Sequence, residues 1–448
     1  MEIKNIYINK DKLLNNILEV NGWVRFNRSS KKIGFIELTD GTKLNGIQLV
    51  YKKDNEDVFE KLSSIPIFSA IEIKGKLIIG KNENLEILVR EIISIRKTSE
   101  NFPIGKKEHG LEFLRQNSHL RIKTKLFQSI MKIRSTASLA IHNFFNDNNF
   151  IYIHTPIITS NDAEGAGESF EINAPKDKGF FDKKASLTVS GQMHAEGYAQ
   201  ALKNVYTFGP TFRAENSHTK RHASEFWMVE PESAFCDYHE MMDIGWKMLS
   251  FIVKEVLKVN NEELKFIEKA NKNNKLIHQL ENISKSEVKK ISYKEAINIL
   301  QIASKKINFQ DKDIKFGMDL GTEHEKYLAG VYFNSPVYVY DYPKEIKSFY
   351  MYQNEDGTVR GFDLLIPEIG ELIGGSQRED RYEILIKIIK EKNQDLSDLH
   401  WYTSLRENGY AKSTGFGLGF ERMIMFLTGM DNIRDVIPYP RTPGKLNF

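Results

Sequence analysis

The charged side chains best suited to phosphate chemistry lie in one stretch of the chain, residues 206–232. An apolar segment and a Gly209-Pro210 pair precede Arg213 and Glu215, and a second apolar segment follows a basic loop. The pattern predicts two strands joined by that loop, with a break at Gly209-Pro210 and with Arg213 and Glu215 on one face. A guanidinium suits a phosphate, and a nearby carboxylate suits a cation or an amino group. A cross-strand ion pair on a solvated hairpin is the alternative.

A second stretch, residues 415–429, has the composition of a nucleotide-binding strand. Gly415, Gly417 and Gly419 alternate with large apolar residues, and Arg422 opens the apolar helix that follows. Alternation by two predicts a strand with one face free of side chains, against which a flat ligand could lie. The stretch matches neither the dinucleotide-binding glycine motif nor the P-loop.

The order of these two stretches resembles a known family. Residues 212–215, FRAE, with the histidine-bearing loop after them, resemble motif 2 of the class II aminoacyl-tRNA synthetases, and residues 415–422, GFGLGFER, resemble motif 3. Residues 432–443, NIRDVIPYPRTP, are similar to the ending of the aspartate/asparagine branch, most closely of its asparaginyl members. The resemblance covers nearly the whole chain. It implies ATP-dependent activation of L-asparagine as an adenylate and transfer of the asparaginyl group to the 3′ end of tRNA(Asn).

The resemblance also implies which side chains bind ATP. Arg213 would hold the α-phosphate, while Phe226 and Arg422 would lie on the two faces of the adenine. The expected ATP-binding set is Arg213, Glu215, His218, Arg221, Phe226, Glu371, Gly419 and Arg422, with Arg213, Arg422 and Glu371 catalytic. Glu371 and Asp363 would ligate Mg²⁺ through oxygen. Gly374 stands where many relatives carry serine, so a second ligand is missing at that position.

A further set of residues is expected to bind the amino acid: Glu164, Ser190, Gln192, Glu230 and Arg378. Arg378 matches the arginine that reads the side-chain carbonyl in both branches. Ala195 stands where aspartyl enzymes carry lysine, and Glu230 stands where they carry aspartate. Glu230 would accept a hydrogen bond from the amide of asparagine and repel the carboxylate of aspartate. For Arg378 the alternative is an ion pair with Glu371. For Glu164 the alternative is a plain acidic turn.

Residues 1–100 have the pattern of a nucleic-acid-binding barrel. Five short strands with tight turns, and a helical piece at residues 56–63, predict an OB-fold. Such barrels bind single-stranded nucleic acid through stacked aromatic rings and cations. The resemblance places Arg25, Phe35 and Gln48 at the tRNA anticodon. The alternative is that Phe35 belongs to the barrel core.

The rest of the chain completes an α+β protein. Residues 101–118 are expected to form a linker, and residues 119–448 a class II catalytic domain, a mainly antiparallel sheet flanked by helices. Within it, an amphipathic helix at residues 122–149 and the strand after it are similar to motif 1, which implies a homodimer; a core helix would show the same periodicity. Residues 250–306 are expected to form a peripheral helical segment.

Composition limits the remaining possibilities. Of 448 residues, 63 are Lys or Arg and 60 are Asp or Glu, so an RNA partner needs a local basic surface. One cysteine excludes an internal disulfide framework and a thiolate zinc site, which favours the cytoplasm. No apolar run is long enough for a membrane span, and no signal peptide is expected. Three competing functions remain: an aspartyl-tRNA synthetase, a tRNA-free asparagine synthetase on the same catalytic fold, and a non-catalytic RNA-binding paralogue.

Overall fold

The computed structural model describes residues 1–81, 83–105, 109–160, 169–172, 180–446 and 448. The chain forms two compact units, Met1–Ser129 and Ile130–Phe448. The domain and linker bounds drawn from the sequence stay a prediction. No helix in these described ranges combines the length and the apolar character needed to cross a membrane.

The first unit is built on a closed five-stranded barrel with the strand order β1-β2-β3-β5-β4, which confirms the predicted barrel. Inward-facing aliphatic side chains such as Val20, Ile36, Leu49 and Ile73 fill it and are fully buried. The elements are helices α1 (Ile3–Ile8), α2 (Lys10–Leu13), α3 (Glu56–Ser63), α4 (Leu111–Gln116) and α5 (Ser118–Arg121), and strands β1 (Ile17–Ser29), β2 (Ile33–Thr39), β3 (Ile47–Lys52), β4 (Ala70–Ile79) and β5 (Leu85–Arg96).

The second unit is built on an eight-stranded sheet with the order β12-β13-β14-β15-β16-β11-β10-β6. All neighbours pair antiparallel except β12 with β13 and β10 with β6, as the sequence predicted for a mainly antiparallel sheet. A small sheet, β7-β9-β8, lies apart from it in the strand order. The remaining strands are β6 (Ile151–Tyr152), β7 (Ile158–Thr159), β8 (Glu171–Ile172), β9 (Ala185–Leu187), β10 (Asn204–Phe212), β11 (Glu225–Ala234), β12 (Lys289–Ser292), β13 (Val337–Pro343), β14 (Thr358–Ile366), β15 (Gly370–Gln377) and β16 (Ser413–Gly419).

Helices cover this sheet. The long helix α6 buries Ile130, Ile133, Ala137 and Ile141, which repeat at three- and four-residue spacing. The helices from α6 onward are α6 (Lys125–Asp147), α7 (Gln192–Leu202), α8 (Tyr238–Val259), α9 (Asn261–Ala270), α10 (Leu276–Lys285), α11 (Tyr293–Ser304), α12 (Thr322–Lys326), α13 (Tyr382–Glu391), α14 (Leu396–Thr403) and α15 (Phe420–Thr428).

The predicted break at Gly209-Pro210 is wrong, because β10 continues through both residues, paired with Met228 and Trp227 of β11. Strand β6 pairs only with Val205 and Tyr206 on the other side of β10. Among the described residues no strand pairs with β10 beyond that point, so a proline there removes no ladder hydrogen bond on that side.

The prediction that Arg213 and Glu215 lie on one face of the first strand is wrong, because β10 ends at Phe212. The Arg213 amide still donates to the Ser224 carbonyl at 3.0 Å, so pairing extends one residue further, and Glu215 is in the loop. Strand β11 runs past Glu230 to Ala234.

The helical segment at residues 250–306 also contributes to the sheet. Besides helices, it contains β12, which pairs in parallel with β13 as the edge strand. Its short sequence, KKIS, lacks the alternating pattern of the longer strands, which is why the sequence predicted a helical segment and no strand at this position.

Candidate active site

A cavity of the second unit lies between the β10–β11 hairpin, strand β16 and the start of α15; we call it the hairpin cavity. Seven of the eight residues predicted for ATP line it. These are Arg213, Glu215, Arg221, Phe226, Glu371, Gly419 and Arg422. They come from three separate stretches of sequence, so the fold brings together what the motifs predicted one by one.

Two arginines of the hairpin cavity lie against its other walls. The Arg213 guanidinium carbon is 5.4 Å from the centre of the Phe226 ring, a cation–π arrangement. Arg422 donates through Nη1 to the carbonyl and to Oε2 of Glu371, each at 3.3 Å. Both members of this pair are partly exposed, so the pair is open to exchange with a charged ligand.

The hairpin loop supplies a third arginine and a histidine. Arg221 donates to Thr322 Oγ1 at 3.2 Å, and burial together with the charge of Arg422 lowers its pKa. The same two causes lower the pKa of His222. His218 is exposed and does not line the cavity, whereas His222 does. An anion would relieve the repulsion among these clustered cations.

The glycines of β16 make room for side chains as well as for a ligand. A Cβ at Gly415 would lie 2.2 Å from Glu232 Oε1, and one at Gly417 would lie 2.7 Å from Met228 Cε. Glu232 and Met228 of β11 therefore lean across the predicted bare face. Gly417 and Gly419 still line the hairpin cavity.

Acidic side chains gather at one side of the hairpin cavity. A Cβ on Gly374 would lie 2.9 Å from Glu371 Oε1 and 3.3 Å from Asp363 Oδ1, so the two carboxylates approach one point. Glu325 accepts from the Glu371 amide at 3.0 Å, and burial with the nearby Glu371 charge raises its pKa to about 7.

One cation already lies at this acidic group. Lys347 Nζ is 2.7 Å from Asp363 Oδ2. Burial raises the pKa of Asp363, with a further contribution from Glu371 and opposed by Lys347. Over the described ranges, no cluster of three or more His, Cys, Asp or Glu has the spacing of a metal centre.

Arg378 is at the centre of a buried polar group in the same unit. Its Nε and Nη2 donate to the two carboxylate oxygens of Glu232, and its Nη1 donates to Ser376 Oγ at 2.7 Å. The arginine is 1% exposed and Glu232 is fully buried. The alternative pairing of Arg378 with Glu371 is wrong, because Glu371 pairs with Arg422.

Glu230 is close enough to Arg213 and Arg378 for the charges of both to act on its carboxyl group. It is buried, and it accepts from the hydroxyl of Ser190 and, at 2.9 Å, from the amide of Gly191. Burial raises its pKa, while these hydrogen bonds and the charges of Arg213 and Arg378 oppose the rise.

Gln192 follows at the start of α7, and its amide nitrogen Nε2 is buried with no hydrogen-bond partner among the described residues. A buried donor of this kind is costly unless a ligand supplies the acceptor. Glu164, the fifth residue predicted for the amino acid, lies outside the described residues.

In the barrel unit, Phe35 lies on the outer surface. Its neighbours Gly34 and Ile36 face inward, Phe35 is not part of the barrel core, and Arg28 lies over its ring at 4.8 Å. The alternative that Phe35 is a core residue is therefore wrong.

The other two residues predicted for the anticodon are engaged within the barrel unit. Arg25 binds Glu37 at 3.1 Å, the Leu44 carbonyl at 2.6 Å and Gln128 at 2.8 Å, so Arg28 is the arginine beside the Phe35 ring. Gln48 donates to Glu86 at 2.7 Å.

Sequence reasoning missed several residues of the site: Glu196, Glu232, Glu325 and His222. A signal existed for Glu232, since it lies two residues after Glu230 and so shares its strand face. For Glu196 and Glu325 the sequence held no such signal, because a single helical glutamate is usually solvated.

Comparisons with known proteins agree with this geometry. A family model described as class II tRNA synthetases (D, K and N) matches residues 110–443, and a model of the OB-fold nucleic acid binding domain matches residues 18–95. The asparagine–tRNA ligase of Mycoplasma mycoides is 51% identical over 456 residues, with full coverage of both chains. That of Clostridium tetani is 46% identical and covers 100% of this chain and 99% of its own. The asparaginyl-tRNA synthetase of Pyrococcus horikoshii, solved with asparaginyl-adenylate, is 32% identical, with a TM-score of 0.88 and 97% coverage of each chain.

Proposed function

The chain belongs to the class II tRNA synthetases of the D, K and N group, and on that premise we propose that it is an asparagine–tRNA ligase. It is an enzyme that uses ATP to form aminoacyl-tRNA. The observation that carries the proposal is the convergence of Arg213, Phe226, Glu371 and Arg422 on the hairpin cavity.

In the first step the carboxylate of asparagine attacks the α-phosphorus of ATP, and pyrophosphate leaves. No protein nucleophile is required, so the residues act by positioning the reactants and by stabilising charge. Arg213 holds the α-phosphate, where negative charge develops. Phe226 and Arg422 hold the adenine between them, and Gly419 leaves room for the nucleotide to approach β16.

Loop residues bind the rest of the nucleotide. Arg221 faces the pyrophosphate, and its lowered pKa reflects burial beside Arg422, a repulsion that an anion removes. Glu215 contacts the adenine amino group. His222 lies in the cavity with these residues, whereas His218 would reach the phosphates only if the loop moved.

The acidic group fits a divalent cation. Glu371 and Asp363 offer oxygen atoms on two sides of the space above Gly374, and magnesium prefers carboxylate oxygen and water. When held by these residues, Mg²⁺ would neutralise negative charge on the phosphates. Glu325 orients Glu371 by accepting a hydrogen bond from the backbone amide of Glu371. Lys347 holds Asp363 in place by donating to its carboxylate.

The amino acid binds beside Arg378. One guanidinium edge is occupied by Glu232, and the arginine offers its remaining donors to the side-chain carbonyl of asparagine. Glu230, oriented by Ser190 and Gly191, accepts from the side-chain amide. Gln192 supplies a donor that lacks an acceptor in the described residues, and Glu164 binds the ammonium group.

In the second step the terminal ribose hydroxyl of tRNA(Asn) attacks the asparaginyl carbonyl, and AMP leaves. The barrel recognises the anticodon, with Phe35 stacking on a base and Gln48 hydrogen bonding to another. Arg28, which lies over the Phe35 ring, is better placed than Arg25 to contribute a cation.

The proposal includes a homodimer in the cytoplasm. Leu139 of α6, Ile151 and Tyr152 of β6, and Tyr439 are large apolar side chains between 41% and 62% exposed, and β6 is an edge of the sheet. An exposed apolar surface beside an edge strand is typical of an interface. Light scattering tests this point, since one chain is 51.8 kDa and a dimer has twice that mass.

The direct test of the activity is aminoacylation of a tRNA(Asn) transcript with radioactive asparagine. The proposal predicts ATP-dependent charging. A tRNA(Asn) with a changed anticodon is the matched control and should be charged poorly. Absence of charging together with absence of ATP–pyrophosphate exchange would favour the non-catalytic RNA-binding alternative. Aspartate-dependent exchange without charging would favour the tRNA-free asparagine synthetase.

A further inference from the structure

Four charged side chains form a buried network behind the amino-acid site. We call it the four-charge network, and its members are Glu196, Glu232, Arg378 and Arg406. All four side chains are no more than 2% exposed. Buried ions of this kind are stable only when paired, and here two glutamates balance two arginines.

Glu196 connects the two arginines. Its Oε1 accepts from Arg406 Nη2 at 2.5 Å, and its Oε2 is 4.0 Å from Arg378 Nε. The hydroxyl groups of Tyr402 and Tyr410 each donate to the same carboxylate at 2.7 Å. Four groups therefore surround the Glu196 carboxylate, and every charged side chain in the network is buried.

This balance decides what Arg378 offers to a ligand. An arginine with an uncompensated charge binds a carboxylate better than a neutral amide. Arg378 instead shares its charge with Glu232 in direct contact and with Glu196 at 4.0 Å. Glu230 adds a third buried carboxylate near Arg378. The pocket therefore has hydrogen-bond donors but no surplus of positive charge.

We infer that Glu196 is a specificity-determining residue for asparagine over aspartate, acting through Arg378 by balancing the charge of the four-charge network. This rests on the proposed function, and Glu196 is a positioning residue because it touches Arg378 and Arg406 but is not placed at the reacting atoms. If Glu196 had a purely structural role, it would only hold Arg406 in place, and the preference for asparagine would not depend on its charge.

The experiment measures ATP–pyrophosphate exchange by the full chain with each amino acid. The quantity compared between variants is the ratio of kcat/KM for aspartate to kcat/KM for asparagine. Glu196→Gln keeps the shape and removes one of the three buried negative charges near Arg378, so the ratio should rise about tenfold or more. Adding Arg406→Gln restores the balance, and the double variant should return toward the wild-type ratio. Tyr402→Phe removes the hydrogen bonds of the Tyr402 hydroxyl to Glu196 and to Arg406 but keeps every charge, so its ratio should stay within about twofold of wild type.

The outcomes separate the two hypotheses. If the wild type does not activate asparagine, the proposed function fails. If it does, and folded Glu196→Gln leaves the ratio unchanged or the double variant fails to reverse it, the inference about Glu196 is overturned. If Glu196→Gln does not fold, Arg406→Gln alone decides: the excess negative charge should lower the ratio, and an unchanged ratio would overturn the inference.

Discussion

Glu232 of β11 and Arg378, which follows β15, form a two-point ion pair across the glycine of the strand between them. Gly415 of β16 pairs with both Glu232 and Ser376, and the Glu232 carboxylate occupies the place where a Cβ on Gly415 would stand. The missing side chain of Gly415 thus allows the contact that fixes the arginine proposed to read the amino acid.

We expect Gly415→Ala to lose asparagine activation and to destabilise the protein by about 1 to 3 kcal/mol. The new methyl group would lie 2.2 Å from Glu232 Oε1 and would push the carboxylate away from Arg378. Gly197→Ala in helix α7 is the matched control, since the nearest atom to the added Cβ would be 3.8 Å away. Thermal unfolding and pyrophosphate exchange measure both effects. Equal stability and equal exchange rates in the two variants would contradict this role of Gly415.

Arg213→Ala should abolish adenylate formation and leave the fold intact. The side chain lines the hairpin cavity over the Phe226 ring, and alanine removes its planar fork. Arg213→Lys is the control, because it keeps the charge without the two-point geometry, and it should also be strongly impaired. Pyrophosphate exchange above a tenth of the wild-type rate in the alanine variant would remove Arg213 from this role.

Phe35→Ala should weaken charging of tRNA(Asn) through lost stacking, worth about 1 to 3 kcal/mol for a base. Because Phe35 is an outer-face residue of the barrel, the substitution should leave both stability and pyrophosphate exchange unchanged. Steady-state charging and exchange are measured side by side. A parallel loss in both assays would mean that Phe35 supports the fold instead.

Cys236 should react slowly with Ellman's reagent in the native protein. It is 8% exposed, and burial, with Glu240 and Asp237 nearby, raises its pKa to about 12. At pH 8 the reactive thiolate is therefore scarce, and we expect modification at least about a hundredfold slower than in urea. As this is the only cysteine, the signal is unambiguous. Rapid native labelling at pH 8 would contradict the burial.

The sequence predicted most of what is local. Alternating glycines and the barrel strands depend on neighbours in the chain, and the fold confirms the strands they predict. The strand position predicted for Arg213 and Glu215 was wrong, since β10 ends at Phe212. The break at Gly209-Pro210 was wrong because the open edge of β10 is a property of the whole sheet. The pairing of Arg378 with Glu232 joins residues 146 positions apart, and no periodicity marks such a partner.

Glu230→Gln should narrow the discrimination between asparagine and aspartate. A glutamine at this position keeps both contacts: its oxygen can accept from the Gly191 amide and its nitrogen can donate to Ser190 Oγ. The carboxylate that repels aspartate is removed, and Ala195→Lys should relax the discrimination further by adding a cation. Exchange rates for both amino acids are compared across wild type, single and double variants. An unchanged gap would mean that Glu230 is not the selector.

The most direct test of the central claim is ATP–pyrophosphate exchange by the wild-type protein with asparagine and with aspartate, measured side by side. A pocket that offers donors from Arg378 and an acceptor from Glu230 leaves no polar group of asparagine unpaired, whereas aspartate brings a second anion next to Glu230. We predict exchange with asparagine that exceeds exchange with aspartate by about 10⁴ in kcat/KM. Comparable exchange with aspartate would contradict the assignment.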